Sequence, residues 1–133
     1  MSIDGLRFGH VAFRVSDVER SVRWYGEAFG AKKIYHVEAQ GDRPELMFLE
    51  FARGQCVELF PGGKNMLPSP PDPVGYIHFC LVLDNLEQAL EHLAKMNIKP
   101  ERKFIGRAKQ RIAFVSDPDG NSIELMEIPT ESG

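Results

Sequence analysis

Four side chains that can bind a cation or move a proton recur in this chain as two matched pairs. His10 opens the segment HVAFRV and Glu58 lies in CVELF, while His78 opens HFCLVL and Glu124 lies in SIELM. The histidines are 68 residues apart (78 − 10) and the glutamates 66 (124 − 58), so the His-to-Glu span is 48 residues in one half and 46 in the other. Their surroundings repeat as well. Val15, Val18, Glu19 and Val22 match Leu83, Leu86, Glu87 and Leu90, and Phe48, Gly54 and Leu59 match Phe114, Gly120 and Leu125. A duplicated supersecondary unit puts equivalent positions in related places, so the four residues are expected to converge on one point. Two neutral imidazoles and two carboxylates suit nickel, cobalt, zinc, manganese or iron, and a set without thiols does not resemble a structural zinc knot. A six-coordinate ion so held keeps two positions for water or substrate, the vacancy a catalytic site requires.

Singly, each residue has a plainer explanation. A lone His at a strand start is usually a hydrogen-bonded structural residue, and a Glu can sit on a solvated sheet face. Glu58 and Glu124, however, stand in short apolar runs, where a carboxylate is costly unless paired or metal-bound. Recurrence of the same pair in the same strands is what decides for the quartet.

The elements that must position these residues are legible from period and punctuation. HVAFRV alternates Val11, Phe13 and Val15 against His10, Ala12 and Arg14, the two-residue period of a half-buried strand. Ser16-Asp17-Val18-Glu19 reads as a capping box; Val18, Val22, Tyr25 and Phe29 follow at helical spacing, and Gly30 stops the helix. The second half repeats the order with a strand over 76–83, Asp84 and Glu87 as the cap, and Leu86, Leu90 and Leu93 along one helical stripe. Strands are expected at 33–39, 45–51 and 55–60, then near 103–105, at 111–116 and at 122–128. The Asp117–Asn121 stretch, DPDGN, makes a turn. The chain is thus α+β, a βαβββ unit made twice, with modules at about 6–61 and 75–128. The Pro- and Gly-rich stretch 61–74 links them.

Composition removes other classes. At 133 residues, 43% of them hydrophobic, the chain can form a single domain with its own core. A net charge of −3, with Lys and Arg scattered, gives no electrostatic case for nucleic acid. Neither a signal peptide nor an apolar run of about 18 residues is present, so the expected compartment is the cytoplasm, with no membrane partner. Cys56 and Cys80 have no metal-ligand spacing and are expected to be small core residues rather than a disulfide.

Two stretches, HVAFRVSDVERSVRWYGEAFG and AFVSDPDGNSIELME, carry a family resemblance. Over residues 8–128 the chain resembles the vicinal oxygen chelate superfamily, and within it short bacterial glyoxalase I (lactoylglutathione lyase). The resemblance implies a curved mixed sheet or half-barrel of tandem βαβββ repeats, the glyoxalase/bleomycin resistance/dioxygenase fold. It makes His10, Glu58, His78 and Glu124 the ligands of one divalent ion, nickel, cobalt, zinc or manganese. Fosfomycin-resistance proteins and extradiol dioxygenases resemble a set of two His and one Glu, and methylmalonyl-CoA epimerases a set with Gln for the first Glu; Glu58 therefore favours the glyoxalase I branch. That branch turns the hemithioacetal of a 2-oxoaldehyde such as methylglyoxal and a thiol into a 2-hydroxyacyl thioester, through an enediolate bound at the metal. Glu124 is the expected base, with Glu58 the symmetric candidate on the reverse face.

Arg14 shares a strand face with His10, where a guanidinium grips a carboxylate in two-pronged fashion, and the matching arginine of glyoxalase I contacts glutathione. Its counterpart in the second half is Val82, so such a grip is one-sided. Lys109 and Arg111 are further candidates for a substrate anion. Pro61-Gly62-Gly63 replaces the polar residue that glyoxalase I commonly carries for glutathione, leaving the thiol open. Trp24 reads as a packing residue or part of a subunit contact rather than a ligand-binding part, and His92 as an exposed residue. The family typically forms a homodimer with shared active sites. Two alternatives stand beside the lyase: another metal-enolate epimerase or isomerase, and a non-catalytic ligand-binding protein of the bleomycin-resistance kind.

Overall fold

In the computed structural model, which describes residues 3–64 and 75–129, the chain forms two compact units, Met1–Asn65 and Met66–Gly133. Their boundary falls inside the linker expected at 61–74, of which residues 65–74 lie outside those described. Each unit is a βαβββ module. The first comprises β1 (His10–Arg14), α1 (Val18–Phe29), β2 (Lys32–Val37), β3 (Leu46–Ala52) and β4 (Gln55–Phe60). The second comprises β5 (Phe79–Val82), α2 (Leu86–Ala94), β6 (Arg102–Ile105), β7 (Arg111–Ser116) and β8 (Ser122–Glu127). Strand order is β1-β4-β3-β2 in one sheet and β5-β8-β7-β6 in the other. In both, the first strand runs parallel to the last and the remaining pairs are antiparallel.

One face of each sheet is closed by its own helix. Val18, Ser21, Tyr25 and Ala28 form the buried stripe of α1, packed over Met47, Leu49, Val57 and Leu59. Tyr25 is fully buried, with the rings of Trp24 and Phe51 at 4.9 and 6.0 Å. Trp24 is accordingly a packing residue, as its helical position suggests. In the second module Leu86 and Leu93 cover Ala113, Val115, Ile123 and Leu125. His92 is exposed in the last turn of α2.

Both helices begin one residue later than the capping patterns imply. The side chain of Asp17, not Ser16, accepts from the Arg20 amide (3.1 Å), and that of Asn85, not Asp84, accepts from the Gln88 amide (3.0 Å). Asp17 (φ −144°, ψ 103°) and Asn85 (φ −145°, ψ 101°) both have the extended backbone of a cap, so the first helical residues are Val18 and Leu86. The Leu86 amide receives a second support, donating to Glu127 Oε1 at 2.8 Å, so a strand carboxylate occupies the positive end of α2. Gly30 ends α1 in a left-handed conformation (φ 70°), its amide bonded to the Gly26 carbonyl at 2.9 Å. After β4 the chain folds back on β1: the Gly63 amide donates to the Val15 carbonyl (3.0 Å), and a Cβ at Gly63 would meet that peptide at 3.2 Å.

Candidate metal centre

Strand register decides which side chains share the face not covered by the helix. In the first module β1 and β4 align Ala12 with Glu58, and β3 and β4 align Phe48 with Glu58, so His10, Arg14, Glu58 and Phe48 all project from this face. In the second, Cys80 and Phe114 flank Glu124, and His78 immediately precedes β5, two residues before Cys80. His78 is thus outside the strand expected to contain it, because pairing with β8 starts at Phe79 opposite Ile123. Its side chain nevertheless reaches the same face.

Each module assembles the same three side chains. His10 Nε2 lies 3.3 Å from Glu58 Oε1, and His78 Nε2 lies 3.5 Å from Glu124 Oε1. The imidazoles stand edge-on to Phe48 and Phe114, at 5.0 Å and 81° in one module and 5.1 Å and 80° in the other. Phe48 and Phe114 are the repeat-related phenylalanines of the sequence, and each packs edge-on against the imidazole of its module. Both carboxylates are largely shielded, with side-chain exposures of 14% and 18%.

The nitrogen-to-oxygen separations bear on what the pairs are for. A well-made N–H···O bond spans about 2.7–3.2 Å. His36 and Glu45, an ordinary surface pair of the first module, meet at 2.9 Å. The two face pairs are longer than this. Two donors bonded to one ion at about 2.0–2.2 Å stand about 3.0–3.4 Å apart at right to tetrahedral angles. His10–Glu58 at 3.3 Å lies within that range and His78–Glu124 at 3.5 Å just beyond it, and their imidazole and carboxylate donors fit a borderline divalent ion. Among the described residues no three His, Cys, Asp or Glu side chains form one cluster; each module offers a pair.

The remaining candidates divide. Arg14 is on the His10–Glu58 face, its Nη1 donating to the Pro61 carbonyl at 3.2 Å. Val82 at the equivalent place is exposed. Arg111 is on the opposite side of its sheet: register sets it against Glu127, three residues from Glu124, and its Nε lies 3.5 Å from Glu127 Oε2 beneath α2. It therefore does not share a face with His78 and Glu124, because strand alternation turns every odd step away. Lys109 sits with φ 66° in the β6–β7 turn, its amide bonded to the Gly106 carbonyl, at the end of the sheet away from His78. Cys56 and Cys80 are both free, and neither is in the core: Cys80 is exposed on the Glu124 face. The Cys80 thiol pKa is pushed up to about 12, first by partial burial, then by its hydrogen bond to Glu124 and by that carboxylate's charge. Sequence reasoning overlooked Arg102, whose guanidinium lies 4.6 Å from the centre of the Phe114 ring. Its signal was the register of β6, a strand too short for its alternation to be read.

With this geometry in place, similarity to known proteins can be weighed. Residues 7–125 match the model of the Glyoxalase/Bleomycin resistance protein/Dioxygenase superfamily. The chain belongs to that superfamily. Among curated relatives, a lactoylglutathione lyase of Salmonella typhimurium is 28% identical over 135 residues, covering 92% of this chain and 93% of the relative. The lactoylglutathione lyase GLX1 of Arabidopsis thaliana is also 28% identical, over 93% of this chain but 45% of its own length; the chain spans about half of such plant relatives. A glyoxalase family protein from Enterococcus faecalis superposes with a TM-score of 0.81 at 22% identity, covering 94% of this chain and all of the other. The duplicated βαβββ architecture is thus that of the superfamily. No helix among the described residues is long and apolar enough to cross a membrane.

Proposed function

We propose that the protein is a metal-dependent lyase of the glyoxalase I type, converting the hemithioacetal of a 2-oxoaldehyde such as methylglyoxal and a thiol into a 2-hydroxyacyl thioester. The observation that carries this reading is the twofold occurrence of a His–Glu pair at ligand spacing, backed each time by the same phenylalanine. The pairs His10–Glu58 and His78–Glu124 join on one divalent ion, nickel, cobalt, zinc or manganese, in a homodimer with shared active sites acting in the cytoplasm. When bound, such an ion supplies Lewis-acid stabilisation to two adjacent oxygens that become negative together.

The protein's own residues then carry the proton. Glu124 accepts it from the carbon that bears sulfur and hydroxyl and returns it to the neighbouring carbonyl carbon, while the hydroxyl proton passes to the former carbonyl oxygen. The reaction is an isomerisation that needs neither oxidant nor reductant, and a carboxylate within hydrogen-bond reach is sufficient base. Glu58 performs the same service on the opposite face of the substrate. Arg14, on the His10–Glu58 face, grips a carboxylate of the thiol portion.

One observation favours a thiol other than glutathione, or an epimerase or isomerase reaction without one. The Pro61–Gly63 segment has no side-chain donor and its backbone is engaged with Val15. The deciding experiment incubates the nickel, cobalt, manganese and zinc forms with methylglyoxal and glutathione, or another thiol, and follows thioester absorbance. Thioester formation above the uncatalysed rate is expected with at least one ion. Metal binding without it, for every thiol, would leave the epimerase reading; failure to bind any ion would leave the sequestering one.

A further inference from the structure

The second module's open face carries a cation that none of the functions above uses. Along β6, Lys103 and Ile105 turn toward the helix side: Lys103 Nζ meets Glu87 Oε1 of α2 at 2.5 Å. Arg102 and Phe104 turn the other way. Arg102 is aligned with Phe114, and Phe114 with Glu124, so one row across the sheet reads Cys80, Glu124, Phe114, Arg102. The Arg102 guanidinium lies over two rings, 4.6 Å from the centre of Phe114 and 5.4 Å from that of Phe104, and these rings are themselves stacked at 6.2 Å and 16°. Phe114 in turn abuts His78.

We propose that Arg102 is a specificity-determining residue that binds a carboxylate or phosphate-type oxoanion of a substrate held on the His78–Glu124 face. The proposal rests on the functional reading above and adds to it the charge and length of the substrate. Two strand spacings separate Arg102 from Glu124, about 10 Å. The anion therefore belongs to a tail roughly that far from the reacting carbons, not to the reacting group itself.

Three features support a binding residue over a stacking ornament. Stacking on Phe114 and Phe104 desolvates one face of the guanidinium and fixes its plane, leaving its edge donors arranged for a planar or tetrahedral oxoanion. Its neighbours Lys103 and Arg111 each have a carboxylate, Glu87 and Glu127, whereas among the described residues Arg102 is in no ion pair. Finally, the matching place in the first module, opposite Phe48, is Tyr35, with its ring 6.1 Å from that of Phe48. The repeat thus preserves an aromatic lid over the phenylalanine in one module and replaces it with a cation in the other, which gives the substrate a preferred direction.

The test has two arms. In the first, the metal-free protein is titrated with inorganic phosphate and with succinate while the Arg102 Nε–Hε resonance is followed by NMR, assigned by its loss in Arg102→Lys. A saturable shift of that resonance, stronger than at Arg107 and Arg111, is expected; a shift no larger than theirs overturns the proposal. In the second arm the active metal form is given methylglyoxal adducts of glutathione and of glutathione esterified at both carboxylates. Arg102→Gln should raise KM for the free-acid adduct about 10- to 100-fold, as for a lost charge-assisted hydrogen bond, with kcat nearly unchanged. It should leave the ester adduct unaffected, and Arg102→Lys should restore part of the affinity. Equal loss for both adducts would mean a structural role and refute the binding one. If the wild-type protein turns over neither adduct, glutathione is not the thiol of this site, and the NMR arm still decides on the anion.

Discussion

Nickel titration by calorimetry distinguishes a joined four-ligand centre from two separate pairs, and the numbers differ enough to be decisive. Structural four-ligand zinc sites bind with about 10–16 kcal/mol, roughly 3 kcal/mol per ligand. A single His–Glu pair with the geometry of His10–Glu58 would supply about half of that, about 5–8 kcal/mol, a Kd between millimolar and micromolar. If the two pairs join, one ion binds per chain, far more tightly than micromolar. Replacing His10 by Ala then removes one ligand of four and weakens the site about a hundredfold. His78→Ala should weaken it by a similar factor, since the two pairs have nearly equal spacing and equal aromatic backing. Phe48→Leu and Phe114→Leu, which loosen the imidazoles without removing a donor, should cost about tenfold, the low end for groups that orient ligands. Two weak ions per chain would refute the joined centre. So would His10→Ala deleting one weak site and leaving the other untouched.

Glu124→Gln should retain part of the metal affinity and lose turnover; a near-normal rate would remove Glu124 as the base. In the helix caps, Asp17→Ala and Asn85→Ala should each cost about 1 kcal/mol in denaturant unfolding, while Ser16→Ala and Asp84→Ala should cost much less. Tyr25→Ala removes a fully buried ring from the α1 core and should cost about 3–5 kcal/mol. The Cys80 thiol and the Tyr76 phenol are both pushed up to about 12, each first by burial, from 9.0 and 10.0. A folded-state pKa raised in this way contributes stability that is complete below the unfolded value and lost as pH rises. Unfolding midpoints should therefore fall between about pH 9 and pH 12; Cys80→Ser should flatten the lower part of that fall, and an unchanged slope would count against the Cys80 shift.

Much of each His–Glu pair was legible because it depends on periodicities the chain cannot hide. A duplicated pattern with His10 and His78 at strand starts and Glu58 and Glu124 in matching final strands is a linear signal, and the β4, β7 and α1 segments follow from apolar alternation and caps. The strand limits of β4 (55–60) and β7 (111–116) agree with the pattern because turns with strong local chemistry bound them. Where two signals competed, the structure decided. Ser16 and Asp84 each make a plausible cap, yet it is the next residue in each case, Asp17 and Asn85, whose side chain accepts from the first turn. The face of Arg111 and of Arg102 was set by the register of β6, β7 and β8, because a charged residue in a short edge strand carries no apolar alternation to orient it. By itself the sequence determined that two like modules each present an imidazole and a carboxylate. Only the tertiary structure decided that each pair stands at ligand spacing against a phenylalanine, since distances between side chains on separate strands are fixed by sheet register and not by position along the chain.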